Sequence, residues 1–140
     1  MKSLALAFIA LTLIGCGAPK SADTPKPSVA IINEAHGYAD NYTPDKLETL
    51  KSTGKPFAVF VGADWCPGCK RLTKEIIANQ IVLPKDTAIL TANFDNELAL
   101  RREYGVAVKH TGIFFDANGE HLYTKGGVVF ADFMTHLAKN

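Results

Sequence analysis

The 140-residue chain has no excess of charge of either sign: 15 Lys and Arg stand against 14 Asp and Glu, a formal charge of +1. That balance supplies no general field for nucleic acid or for an acidic surface, so nucleic acid is not an expected partner and recognition must be local. No apolar run reaches the roughly 20 residues of a membrane-spanning helix. Proline is absent after residue 84. No second paired-cysteine motif accompanies Cys66 and Cys69, which removes the common four-cysteine zinc sites. What is present, 47% hydrophobic and 21% charged residues, describes one ordinary globular domain and leaves no length for a second.

Cysteines occur at 16, 66 and 69, an odd number, whereas a simple disulfide framework uses thiols in pairs. Cys16 is set apart by what precedes it. Lys2 gives a positive start, Leu4 to Ile14 is an eleven-residue apolar run interrupted only by Thr12, and Gly15 is small; residues 1–15 therefore read as a signal peptide. Leu13-Ile14-Gly15-Cys16 resembles the lipobox of bacterial lipoproteins, which implies cleavage before Cys16 and diacylglycerol on its sulfur. The expected location is then the cell envelope, lipid-anchored on the periplasmic face of a bacterial membrane, the outer one in a Gram-negative cell. An ordinary cleaved signal or a small buried cysteine is the plainer alternative. Residues 16–28 hold three prolines and no large apolar side chain, as in an extended tether that spans roughly 35 Å.

Residues 29–140 form the expected domain. Val29–Ile32 is a candidate first strand; Thr43-Pro44-Asp45 supplies an N-cap, a proline at the first helical position and an early acid for a helix to about Ser52. Phe57–Val61 is a continuous apolar run, as in a strand covered on both faces. From Pro67 to about Asn79, Leu72, Ile76 and Ile77 recur at helical spacing. Thr87–Asn93 reads as a strand and Asn96–Tyr104 as a helix stopped by Gly105. Thr111–Phe115 and Glu120–Tyr123 flank Asp116-Ala-Asn-Gly119 as a hairpin, and a last helix follows Gly126-Gly127 from about Phe130 to Ala138. The order β-α-β-α-β-α-β-β-α implies an α/β fold, a central mixed sheet flanked by helices.

Cys66-Pro67-Gly68-Cys69 thus falls at a strand-to-helix junction, where two intervening residues bring the sulfurs within bonding distance. Free backbone N–H groups and the positive helix end favour a thiolate on Cys66 over Cys69. Lys70, Arg71 and Lys74 add a screened positive potential, or are simply a solvated face. The pair admits three chemistries: dithiol-disulfide exchange, a small stapling disulfide that closes too short a loop to stabilise much, or half of a metal site.

Phe57 to Leu72, FAVFVGADWCPGCKRL, resembles the active-site strand and helix of the thioredoxin superfamily. The Ala-Asp-Trp-Cys run is most similar to the C-terminal domain of bacterial membrane thiol reductant transporters and to related periplasmic reductases. The likeness continues through Asn93-Phe-Asp95, Tyr104-Gly-Val106, Thr111–Phe115 and Asn118-Gly-Glu120. It implies Cys66 as nucleophile and Cys69 as resolving thiol, with Trp65, Pro67, Gly68, His110 and Thr111 close by. It also implies protein or small-molecule disulfide substrates, a membrane thiol electron donor, no bound cofactor and a monomer.

Two departures stand out. Family members usually carry a cis-proline facing the cysteines, where this chain has Lys109-His110-Thr111. A cis bond before a non-proline residue costs about 2.5–4 kcal/mol, so the bond entering His110 is expected to be trans. His110 is a loop filler, a neighbour of the Cys66 thiolate, or a third metal ligand with Cys66 and Cys69. Phe60 occupies the strand position where thioredoxins often bury an acid, Thr91 the position of its lysine companion, and Asp64 is a solvated loop acid or a substitute. His36, His121 and His136 have no partnering motif and are expected to face solvent. The resulting reading is an envelope thiol-disulfide oxidoreductase, a reductase by preference. The alternatives are a metal-binding or metal-delivery module and a non-catalytic thioredoxin-fold binding protein.

Overall fold

A computed structural model describes residues 36–139. The candidate strand at 29–32, the proposed signal and the tether lie outside the described residues. Five strands form one sheet in the order β1-β3-β2-β4-β5. In chain order these are β1 (Tyr38–Asn41), β2 (Phe57–Gly62), β3 (Ala88–Asn93), β4 (Thr111–Phe115) and β5 (His121–Gly126). The helices are α1 (Pro44–Lys51), α2 (Pro67–Ala78), α3 (Leu98–Glu103) and α4 (Phe130–Leu137). β1 and β2 run parallel to β3, while β4 is antiparallel to β2 and β5 to β4. This is the expected mixed sheet. Among the described residues no helix is long and apolar enough to cross a membrane.

The continuous apolar run of β2 follows from its central place. Successive side chains point to opposite faces: Phe57, Val59 and Val61 enter one core with Leu47, Leu50, Leu90, Leu100 and Phe115. Ala58 and Phe60 enter the other with Leu72, Ile76, Phe114, Phe133 and Leu137. Both faces are therefore dry, and polar alternation in β2 would place unpaired groups in one core. Cys66 and Cys69 belong to the second core. The Thr43 hydroxyl caps α1 by accepting from the Lys46 N–H at 3.2 Å, as the sequence predicts.

Two expectations shift, and one strand was not anticipated. β1 at Tyr38–Asn41 has no apolar run; among the described residues it pairs only with β3, and it is entered through Gly37 N–H to Leu83 O and Tyr38 N–H to Thr87 O, each 3.1 Å. β5 continues past Tyr123 to Gly126, because Thr124, Lys125 and Gly126 pair with Ile113, Gly112 and Thr111. In α2 the buried stripe is Cys69, Leu72 and Ile76, while Ile77 lies beside it and is exposed.

Candidate active site at the start of helix α2

Cys66 is the N-cap of α2, with Pro67 at the first helical position. Its extended backbone leaves the side chain over the open helix end, and Cys66 Sγ accepts from the Cys69 N–H at 3.2 Å. A sulfur there carries negative charge more readily than one in water. The Cys66 thiol is accordingly held below its ordinary pKa, first by its hydrogen bond with the Cys69 thiol, with further help from the Cys69 N–H and Lys109. Cys69, one turn inward, is 1% exposed, and burial pushes its thiol up, reinforced by the hydrogen bond to Cys66. Both cysteines are free. The arrangement thus favours negative charge on Cys66 Sγ and a proton on Cys69 Sγ.

Lys109 is the residue that sequence reasoning passed over; the cations considered were Lys70, Arg71 and Lys74, on the helix itself. Lys109 comes from the loop before β4, and its ammonium sits 4.7 Å from the centroid of the Trp65 ring. Its adjacency to His110 was the signal available. Trp65 is 61% exposed and is oriented by its indole N–H, which donates to Asp95 Oδ2 at 2.8 Å.

His110 stands against the pair as the likeness implies. The chain has no cis peptide bond among the described residues, so the bond entering His110 is trans, and its φ is 64°. Its N–H donates to Val61 O at 2.9 Å and its carbonyl accepts from Gly127 N–H at 2.7 Å. The ring Nε2 bonds Val128 O at 2.9 Å and the ring lies edge-on to Phe60, with centroids 5.6 Å apart. A Cβ added to Gly68 would lie 3.5 Å from His110 Cε1 and 3.7 Å from Nδ1, so this ring edge faces the turn between the cysteines. Thr111 is buried and donates from Oγ1 to Val108 O at 2.8 Å, fixing the same loop.

Phe60 and Thr91 pair directly across β2 and β3, so the two positions that would hold an acid and a lysine are neighbours without charge. Asp64 is exposed and accepts from Asn93 Nδ2 at 2.9 Å. Both border a cleft of about 440 Å³ that Cys69 also lines. His36 is half-buried and His121 is exposed, but His136 corrects the expectation of a solvent-facing ring. It is 5% exposed, with Nε2 bonded to Phe115 O at 2.8 Å, because α4 turns this position onto the end of β4.

A dithiol at the N-terminus of the helix that follows the central strand of a mixed sheet defines the thioredoxin class of protein. Residues 43–140 match the family described as a thioredoxin-like domain, and the chain belongs to that family. It is 34% identical over 96 residues to a thiol:disulfide interchange protein DsbD from Cronobacter sakazakii, covering 62% of this chain and 17% of that protein. The corresponding protein of Yersinia enterocolitica is 35% identical over 78 residues, 51% of this chain and 14% of its own length. The chain thus spans less than a fifth of these curated relatives. Among solved structures, Trxlp from Edwardsiella tarda superposes with a TM-score of 0.61 at 26% identity, over 72% of this chain and 99% of that one. A thioredoxin from Schistosoma mansoni superposes with a TM-score of 0.60 at 20% identity, over 76% and 96%, and shares the fold.

Proposed function

We propose that the chain is a thiol-disulfide oxidoreductase of the bacterial cell envelope that works through Cys66 and Cys69 without a bound cofactor. The observation that carries this reading is the asymmetry of the pair: Cys66 Sγ at the helix cap accepts a backbone N–H, while Cys69 is buried. In the reducing direction the Cys66 thiolate attacks one sulfur of a substrate disulfide, forming a mixed disulfide and releasing the other sulfur as a thiolate. Cys69 gives up its proton and attacks Cys66 Sγ, so that an internal disulfide forms and the substrate leaves as a dithiol. Two electrons pass to the substrate, and a membrane thiol donor must return them.

The domain arrangement within this proposal is a signal at 1–15, a lipidated Cys16 with a tether to residue 28, and the thioredoxin-like domain at 29–140. The reducing direction is favoured by the Ala-Asp-Trp-Cys run, and exchange chemistry in general by likeness to proteins named for thiol:disulfide interchange. Substrates are protein or small-molecule disulfides, and the working unit is a monomer. The test is reduction of insulin disulfides by the dithiol-loaded protein, with Cys66→Ser as control, followed by a redox titration. Turnover lost in Cys66→Ser, with a midpoint well below about −120 mV, the range of strong periplasmic oxidants, supports the reductase. No turnover above the control would make the chain a thioredoxin-fold binding protein instead.

A further inference from the structure

His110 completes a three-donor set. Cys66, Cys69 and His110 each offer one ligand atom, and these atoms lie within 4.8 Å of one another. A tetrahedral zinc ion, with bonds of about 2.3 Å to sulfur and 2.0 Å to nitrogen, separates its donors by roughly 3.5–3.8 Å, so side-chain movements of about 1 Å suffice to bring all three onto one ion. The ring is also prepared in the manner of a ligand. The Val128 carbonyl can only accept, so Nε2 carries the hydrogen, and Nδ1 is the ring nitrogen whose lone pair a metal ion would take. The ring edge bearing Nδ1 faces Gly68, between the cysteines. Donation of the second ring N–H to a carbonyl is the usual way a metal-binding histidine is fixed, and the backbone of residue 110 is itself tied to Val61 and Gly127.

We propose that the reduced site binds one Zn²⁺ through Cys66 Sγ, Cys69 Sγ and His110 Nδ1. Three protein ligands leave a fourth position open, next to a cleft of about 350 Å³ bordered by Gly68, Arg71, Glu75 and Val129. Zinc uses the same thiols as the exchange reaction but does not depend on that reading. Binding releases the thiol protons to solvent and moves no electrons. The internal disulfide has no thiolate to offer, so zinc and oxidation exclude each other, and zinc holds the pair in its dithiol state. Each tenfold rise in zinc above its Kd raises the midpoint potential by about 30 mV, because the ion stabilises only the dithiol.

The experiment is a titration of the reduced full chain with Zn²⁺ against a chromophoric chelator, with Co²⁺ as the spectroscopic substitute. One ion per chain is expected, with a thiolate-to-cobalt charge-transfer band and no uptake by the oxidised protein. His110→Asn should weaken zinc by about tenfold or more. His110→Gly, which suits the left-handed backbone, should do the same and guards against a folding artefact. Substoichiometric binding, both variants binding as tightly as the parent, or a midpoint unmoved by zinc would overturn the inference. Zinc binding without insulin reduction would uphold it and overturn the exchange reading alone.

Discussion

His110 occupies a backbone conformation that L side chains rarely adopt, at φ 64°. Proline fixes φ near −65° and has no N–H, so restoring the family's usual residue here is not a side-chain exchange. His110→Pro would break the bond to Val61 O and force the loop to rebuild. The expected result is a loss of about 2 kcal/mol or more in urea unfolding, whereas His110→Gly should be neutral or stabilising. His136 supplies a second prediction. Burial is the main reason its pKa lies below the ordinary value, with Lys139 acting in the same sense and Asp116 and the Phe115 carbonyl opposing. The fold therefore binds fewer protons at this ring than the unfolded chain does. Its contribution is fully present above the unfolded pKa of about 6.5 and is lost as pH falls below it. The urea midpoint should drop between pH 7 and pH 5, and His136→Gln should flatten that dependence. The placement of Cys66 and Cys69 at the start of α2 was legible because it follows from the apolar run of β2 and the helical spacing after Pro67. Lys109 and His136 were not, since what each touches is decided by elements distant in sequence.

At the scale of elements, the hairpin shows how a local turn is tied to the rest of the fold. Asp116 Oδ1 accepts from the N–H groups of Asn118 and Glu120 at 2.8 and 2.9 Å, and Gly119 turns back with φ 80°. A Cβ at Gly119 would stand 2.5 Å from Lys51 O, at the end of α1. Gly119→Ala is thus expected to cost about 1–3 kcal/mol, through both backbone strain and the clash. An unchanged denaturation midpoint would show that hairpin and helix part easily. Elements with strong patterns were readable: β2 by its unbroken apolar run, α1 by Thr43 and Pro44, and the β4–β5 hairpin by Asp116 to Gly119. β1 was not, because Tyr38-Ala-Asp-Asn41 carries no strand pattern of its own and is placed by pairing with β3. The far end of β5 was hidden in the same way, since Lys125 and Gly126 are poor strand formers held by Gly112 and Thr111.

For the whole molecule, near-neutral charge gives the chain no general electrostatic hold on a membrane, so the proposed attachment would depend on Cys16 alone. If the lipobox reading is right, expressing Cys16→Ala in a bacterial host should move the protein from the membrane fraction to the soluble periplasm, and retention in the membrane would sink it. Insulin reduction by the released protein should be little changed by ionic strength, since no broad field steers the substrate. The chain contains a single tryptophan, and the structure places it at residue 65, beside Cys66, hydrogen-bonded to Asp95 and covered by Lys109. All tryptophan emission therefore originates at the rim of the dithiol. The protein carries its own optical probe, so oxidation of the pair, arrival of a metal ion or docking of a substrate can be followed in real time without a label.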